Sequence, residues 1–161
     1  MISDSKTRYV QELNILNSAY RSTELRGFRT TEVFCVDKFG RDVTFSKPSD
    51  IPLEMDRLMQ AFAEEFKNAG DLPSLALCLA RFFYVFIAVH PFADGNRRTA
   101  FAFLAKRAAE KSYDIQAIDT LRCVLLQGDV AEEMQKLRSL FMVMLKPQAE
   151  GDLSCPKIEK I

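Results

Sequence analysis

The chain has 161 residues, 48% of them hydrophobic, and its 22 basic and 22 acidic side chains cancel to zero net charge. A balanced charge offers no bulk attraction to nucleic acid or to an anionic membrane surface, so neither is expected as a partner and any electrostatic site must be local. The length suits one domain with a buried core. Cys35, Cys78, Cys123 and Cys155 are scattered, without a CxxC pair or a nearby histidine, and read as reduced thiols of a cytoplasmic protein, not as a zinc site or disulfide framework. The start, Met1 to Lys6, has no apolar core of the kind a signal peptide carries.

In chain order, Tyr9, Leu13, Leu16 and Tyr20 recur at helical spacing after the candidate caps Ser3 and Asp4, predicting an amphipathic first helix that Gly27 ends. Thr31 to Val36 and Arg41 to Phe45 flank Asp37-Lys38-Phe39-Gly40 and read as a β-hairpin, the one convincing strand pair of the chain. Two strands make no independent sheet, so the hairpin must lean on helices. Pro48 to Pro52 opens a second helix with Met55, Leu58, Met59, Phe62 and Phe66 on one stripe, ended by Gly70. Asp71 and Pro73 suit the start of a third, in which Leu75, Leu79, Phe82, Phe83, Phe86 and Ile87 leave little polar face. Its run from Leu75 to Val89 is interrupted by Arg81 and too short to span a bilayer, so a buried central helix is expected.

A fourth helix from about Arg98 turns Phe101, Leu104, Ala105 and Ala108 inward and Lys106, Arg107, Glu110 and Lys111 outward. Asp119 to Gly128 suits a short helix. Asp129 and Glu132 form a capping-box-like start for a last one, striped by Val130, Met134, Leu137, Phe141 and Met144 and stopped by Pro147. The expected fold class is mainly α with one small hairpin. Residues 1–147 form the single domain and 148–161 a loose tail.

Between the third and fourth helices lies His90-Pro91-Phe92-Ala93-Asp94-Gly95-Asn96-Arg97-Arg98, which holds the only histidine. His90 titrates near neutrality and can take a proton from a hydroxyl. Asp94 can hold Mg²⁺, which keeps most of its waters and bridges phosphates. Gly95 allows close backbone approach, and Asn96 opens a helix whose first amides favour anions. Arg97 and Arg98 add charge that grips phosphate, while Phe92 pins the loop to the core. Taken singly, each residue has a structural alternative: a packed histidine, turn and cap residues, solvated arginines. Together at a helix N-terminus they suggest phosphoryl or nucleotidyl transfer to a hydroxyl.

The run resembles the Fic/Doc signature H-x-F-x-D/E-G/A-N-G/K-R, with His90, Phe92, Asp94, Gly95, Asn96 and Arg98 matching in place. The resemblance extends to Gly27-Phe28-Arg29, to Pro48–Met59 and to the flanking helices, roughly Tyr9 to Leu145. It implies a Fic-fold helical bundle that transfers AMP from ATP to a Ser, Thr or Tyr hydroxyl of a target protein. It implies that His90 is the base, Asp94 the Mg²⁺ ligand, Gly95 and Asn96 the anion cradle, and Arg98 a contact to the terminal phosphates. It also implies that the hairpin, Val33, Phe34, Cys35 and Val36 in particular, is a flap that aligns the target by strand addition.

Arg97 departs from the pattern. AMP-transferring members have Gly there, which leaves room for the β-phosphate, and Doc-type kinases have Lys, with ATP bound reversed. Doc-type phosphorylation and a Fic-fold interaction module without catalysis therefore stand as alternatives. Many members carry an inhibitory helix, S/T-x-x-x-E-G/N. Glu150-Gly151 has Lys146 in place of Ser or Thr, and Glu24 fits worse, so an antitoxin-like inhibitor protein is a further expected partner. Action in the cytoplasm, or in a host cell after translocation, is compatible with all three readings.

Overall fold

A computed structural model describes residues 2–19, 27–37, 40–116 and 129–149. The elements run α1 (Ile2–Ala19), β1 (Cys35–Val36), β2 (Asp42–Val43), α2 (Ile51–Asn68), α3 (Leu72–Val89), α4 (Asn96–Glu110), β3 (Tyr113–Ile115), α5 (Val130–Met144) and β4 (Leu145–Pro147). The short helix expected over 119–128, Tyr20, Glu24 and the tail from Glu150 onward lie outside the described residues.

Helix α1 packs on α2 and α4, and helices α2, α4 and α5 pack on the apolar helix α3. Asp71 caps it through a reciprocal capping box with Ser74, and Pro73 sits in its first turn, where a missing N–H costs nothing. Ten of its residues are buried, from Leu75 to Val89. Its 18 residues reach the length and apolarity of a bilayer span, which the shorter Leu75–Val89 run did not suggest, but protein covers it on several sides. The buried stripe of α2 is the expected one, with Ile51 added.

Phe62 of α2, Phe82 of α3 and Phe103 of α4 meet pairwise at centroid distances of 4.9–5.4 Å, and Tyr9 of α1 meets Phe103 edge-on at 5.6 Å. On the other flank Phe83 of α3 touches Phe141 of α5. Cys78 is buried in this core, which pushes its thiol up to about 12 and keeps it unreactive.

Several expectations change. Helix α1 starts at Ile2, which places the candidate caps Ser3 and Asp4 within its first turn. The hairpin strands shrink to Cys35–Val36 and Asp42–Val43, because Asp37 and Gly40 already close the turn around them. A second antiparallel pair exists: β3 lies against β4, with Tyr113 opposite Pro147 and Ile115 opposite Leu145. Its strands are three residues each and about thirty residues apart in sequence, so neither alternation nor a turn announces them. Pro147 closes an edge strand, the place a sheet tolerates proline. Gln148 remains tied to the body, donating from its backbone to Ser112 and from its side chain to Asp114.

Arg107, expected outward, is buried. It donates to both carboxylate oxygens of Glu12 at 3.1 Å and lies over the rings of Tyr9 and Phe103. Val130, expected on the inner stripe of α5, is exposed, since the helix is only entering its first turn there. Asp129 does cap α5 by accepting from the Glu132 amide, but the Glu132 carboxylate pairs with Lys136.

Candidate active site

Helix α3 ends on His90 in the left-handed conformation (φ 52°), its N–H bonded to Phe86 O at 2.9 Å. A left-handed non-glycine residue is strained, and such strain persists where surroundings hold it. The turn redirects the chain into the loop. Phe92, 1% exposed, then plugs the loop into the core against Phe28 and Phe86. Gly95 is the N-cap of α4, which begins at Asn96, two residues earlier than expected. Arg97 and Arg98 therefore sit on the first turn of α4, both exposed.

The histidine is half-buried, and its ring stacks on Phe45 at 4.1 Å between centroids, 26° from parallel. Its Nδ1 is buried without a hydrogen bond of good geometry, although the Ile87 carbonyl lies near enough to favour the protonated ring. Burial dominates and lowers the histidine below its ordinary range, with Arg29 and Arg97 pushing the same way and Asp94 opposing. A value lowered in this way favours the neutral imidazole, the form that accepts a proton.

Asn96 differs from its expected part. Its side chain is buried, with Oδ1 accepting from Phe92 N at 2.9 Å and Nδ2 donating to Phe92 O at 2.7 Å. The amide group closes the loop on itself, and what Asn96 can offer an anion is its backbone N–H. The first intrahelical bond of α4 is Thr99 N to Gly95 O at 2.9 Å, so the amides of 96–98 precede the helical ladder. Such amides at the positive end of a helix dipole suit an anion, and Arg97 and Arg98 add positive charge on the same turn.

Asp94 has an exposed carboxylate, and Arg98 Nη2 lies 3.6 Å from it across one helical turn. No cluster of three or more metal-capable side chains occurs among the described residues. One exposed carboxylate fits Mg²⁺, which takes one or two from protein and fills its shell with water and phosphate.

Asn17 is a site residue that composition does not reveal. Buried on α1, it donates through Nδ2 to the Asp94 carbonyl at 2.9 Å and to Thr99 Oγ1 at 3.1 Å, clamping loop and helix start together. Its position four residues after Leu13, on the apolar stripe, was the one available signal. Gly95 lies under this clamp with φ 75°, and an added Cβ would stand 3.3 Å from Asn17 Nδ2. Gly95→Ala is therefore expected to cost about 1–2 kcal/mol from backbone strain alone. A lower unfolding midpoint with a weaker nucleotide-induced shift would show it, and an unchanged shift would mean the loop tolerates the side chain.

The hairpin stands over this loop. Phe34 is 89% exposed and Val36 60%, and Cys35 is exposed as well, while Val33 is partly covered. Only Cys35 and Val36 of the expected flap residues are in the strand, and β1 keeps an outer edge because its sheet has two strands. By contrast, two apolar grooves along α2 and α3, about 450 and 280 Å³, contain none of the loop residues.

Residues 7–106 match the model of the family described as Fic/DOC, most of the chain and the whole loop. The chain belongs to the Fic/DOC family. The Fic fold is also evident in solved structures. BepC, a translocated effector of Bartonella tribocorum with AMPPNP bound, superposes with a TM-score of 0.68 at 14% identity over 92% of this chain and 84% of that one. The Fic domain of a Bartonella quintana effector with ADP bound gives 0.63 at 16% identity over 91% and 84%. A Fic domain signalling protein from Bacteroides thetaiotaomicron gives 0.62 at 15% identity over 89% and 65%. No curated protein matches significantly. At such identities the neighbours establish the Fic fold, and the chemistry must be argued from this chain's own loop.

Proposed function

We propose that this Fic protein transfers AMP from ATP to a Ser, Thr or Tyr hydroxyl of a target protein. The observation that carries the reading is a half-buried His90 held at the exit of α3, stacked on Phe45 and directly before the open N-terminus of α4 with Asp94 and Arg98 beside it. The exposed strand β1 accepts an extended target segment along its outer edge, placing a hydroxyl beside the imidazole. His90 takes the hydroxyl proton as the oxygen attacks the α-phosphorus, and pyrophosphate leaves. The first amides of α4 and Arg98 stabilise the charge on the phosphate oxygens. Asp94 would hold Mg²⁺, which when bound neutralises phosphate charge. Two structural neighbours with AMPPNP and ADP bound support nucleotide binding here.

Arg97 supports a second reading. It occupies the second position of α4 with an exposed side chain, where a cation favours the reversed nucleotide of Doc-type kinases. A third reading, an interaction module, follows if Arg97 blocks the β-phosphate altogether. An inhibitor protein acting in trans is a proposed partner in each case, and the cytoplasm of the bacterium or of a host cell the proposed setting.

The deciding experiment incubates wild type and Arg97→Gly with Mg²⁺, candidate target lysate and ATP labelled separately at the α- and γ-phosphates. Wild type is expected to place the α-label on protein. Label only from the γ-position would replace AMP transfer by phosphorylation. Transfer by Arg97→Gly alone would show that arginine silences the wild type. No transfer by either protein, without a nucleotide-induced thermal shift, would leave the module.

A further inference from the structure

We propose that Arg29 is the positioning residue for His90: one buried side chain that holds the end of α3 and both legs of the hairpin in a single register. Arg29 is 5% exposed. Its Nε donates to the His90 carbonyl at 2.6 Å and its Nη2 to the Val89 carbonyl at 3.3 Å, while its backbone N–H donates to the Pro91 carbonyl at 2.8 Å. Three successive carbonyls around the left-handed turn are thus gathered by one residue. The remaining donors reach the hairpin. Nη1 bonds the Thr31 carbonyl on the incoming leg at 2.9 Å, and Nη2 bonds the Ser46 carbonyl on the outgoing leg. Ser46 in turn donates its hydroxyl to Glu54 of α2.

Among the described residues the guanidinium bonds only carbonyl oxygens. Burying a cation is costly and lowers the Arg29 pKa, and the Glu32 carboxylate offsets this only in part and through space. It is tolerated here because the last carbonyls of α3 lack helical partners and carry the negative end of the helix dipole. The His90 and Pro91 carbonyls follow the left-handed residue (φ 52°), so the guanidinium and the backbone N–H of Arg29 hold the chain on the far side of that strained turn. The outgoing leg also carries Phe45, which stacks on the imidazole. Arg29 therefore fixes the ring from two sides, through its own backbone and through the neighbour of the residue it stacks on. Lysine would keep the charge but present one nitrogen in place of a planar fork, which cannot bridge carbonyls on separate segments.

The proposal rests on His90 being the base, but its test does not need turnover. His90 is the only histidine in the chain, so its imidazole resonances in the full-length labelled protein are unambiguous. The Phe45 ring at 4.1 Å must displace the His90 ring protons upfield. In Arg29→Lys this displacement is expected to vanish, matching a Phe45→Ala reference, while the methyl resonances of the core stay in place. Transfer, where it is measurable, is expected to fall about 100-fold with KM for ATP nearly unchanged. An Arg29→Lys protein that retains the displaced ring signal would overturn the proposal and leave Arg29 a general stabiliser. If the variant does not fold, the wild-type Arg29 Nε–H decides. Exchange slower than that of exposed arginines by about 100-fold or more supports the bond to His90, and exchange at the exposed rate refutes it.

Discussion

His90→Ala and His90→Asn are both expected to lose transfer by at least about 100-fold, the lower end of what general-base catalysis contributes. The asparagine variant is the cleaner of the two because Asn accepts the left-handed conformation at φ 52° that the turn imposes. Both should fold and bind nucleotide, since the phosphate-facing groups lie on α4 and not on the ring. Labelled transfer beside a nucleotide thermal shift checks this, and a variant with wild-type transfer would remove His90 from the mechanism.

The pH dependence follows with its sign. Burial lowers the folded-state value below the ordinary 6.5, helped by Arg29 and Arg97. The rate should therefore rise with pH through an acid limb placed below 6.5 and be level at neutrality. The same shift links to stability. The unfolded chain binds the proton more tightly, so the contribution is full above about 6.5 and is lost as pH falls toward the depressed folded value. An acid limb above 6.5 would mean that the titrating base is another group.

The second large effect concerns stability. Phe92→Ala is expected to cost about 3–5 kcal/mol, the range for emptying a buried phenylalanine site. Phe92 is 1% exposed and packs against Phe28 and Phe86, while its backbone is clasped by Asn96. For a domain of this size that corresponds to a drop of roughly 6–20 °C in the unfolding midpoint. Thermal and urea unfolding would measure it, and a loss below about 1 kcal/mol would show that the loop is not anchored through this ring.

Much of the architecture was legible because helices advertise their buried face through local periodicity. The stripe from Met55 to Phe66, the apolar α3 and the Asp71 cap all depend on residues within two turns of one another. The loop was legible too, since His90, Asp94 and Gly95 need only be close in sequence to be close in space. The β3–β4 pair was not, because its partners are remote and too short to alternate. Arg107 misled for a related reason. On α4 alone it belongs to the polar face, and the approach of Tyr9 and Glu12 on α1 covers it while Glu110 on its own helix pairs with it.

What the amino-acid order alone determined is the helical framework, the hairpin's place in the chain and the chemistry-bearing loop, all set by short-range patterning. Tertiary structure decided the state of that loop. His90 is half-buried against Phe45, Asn17 from α1 fastens the Gly95 turn, and the Asn96 side chain turns inward to close the loop. Each outcome depends on desolvation or on a hydrogen bond between segments distant in sequence, or on which way a side chain points. Such energies exist only once the chain has brought those groups together.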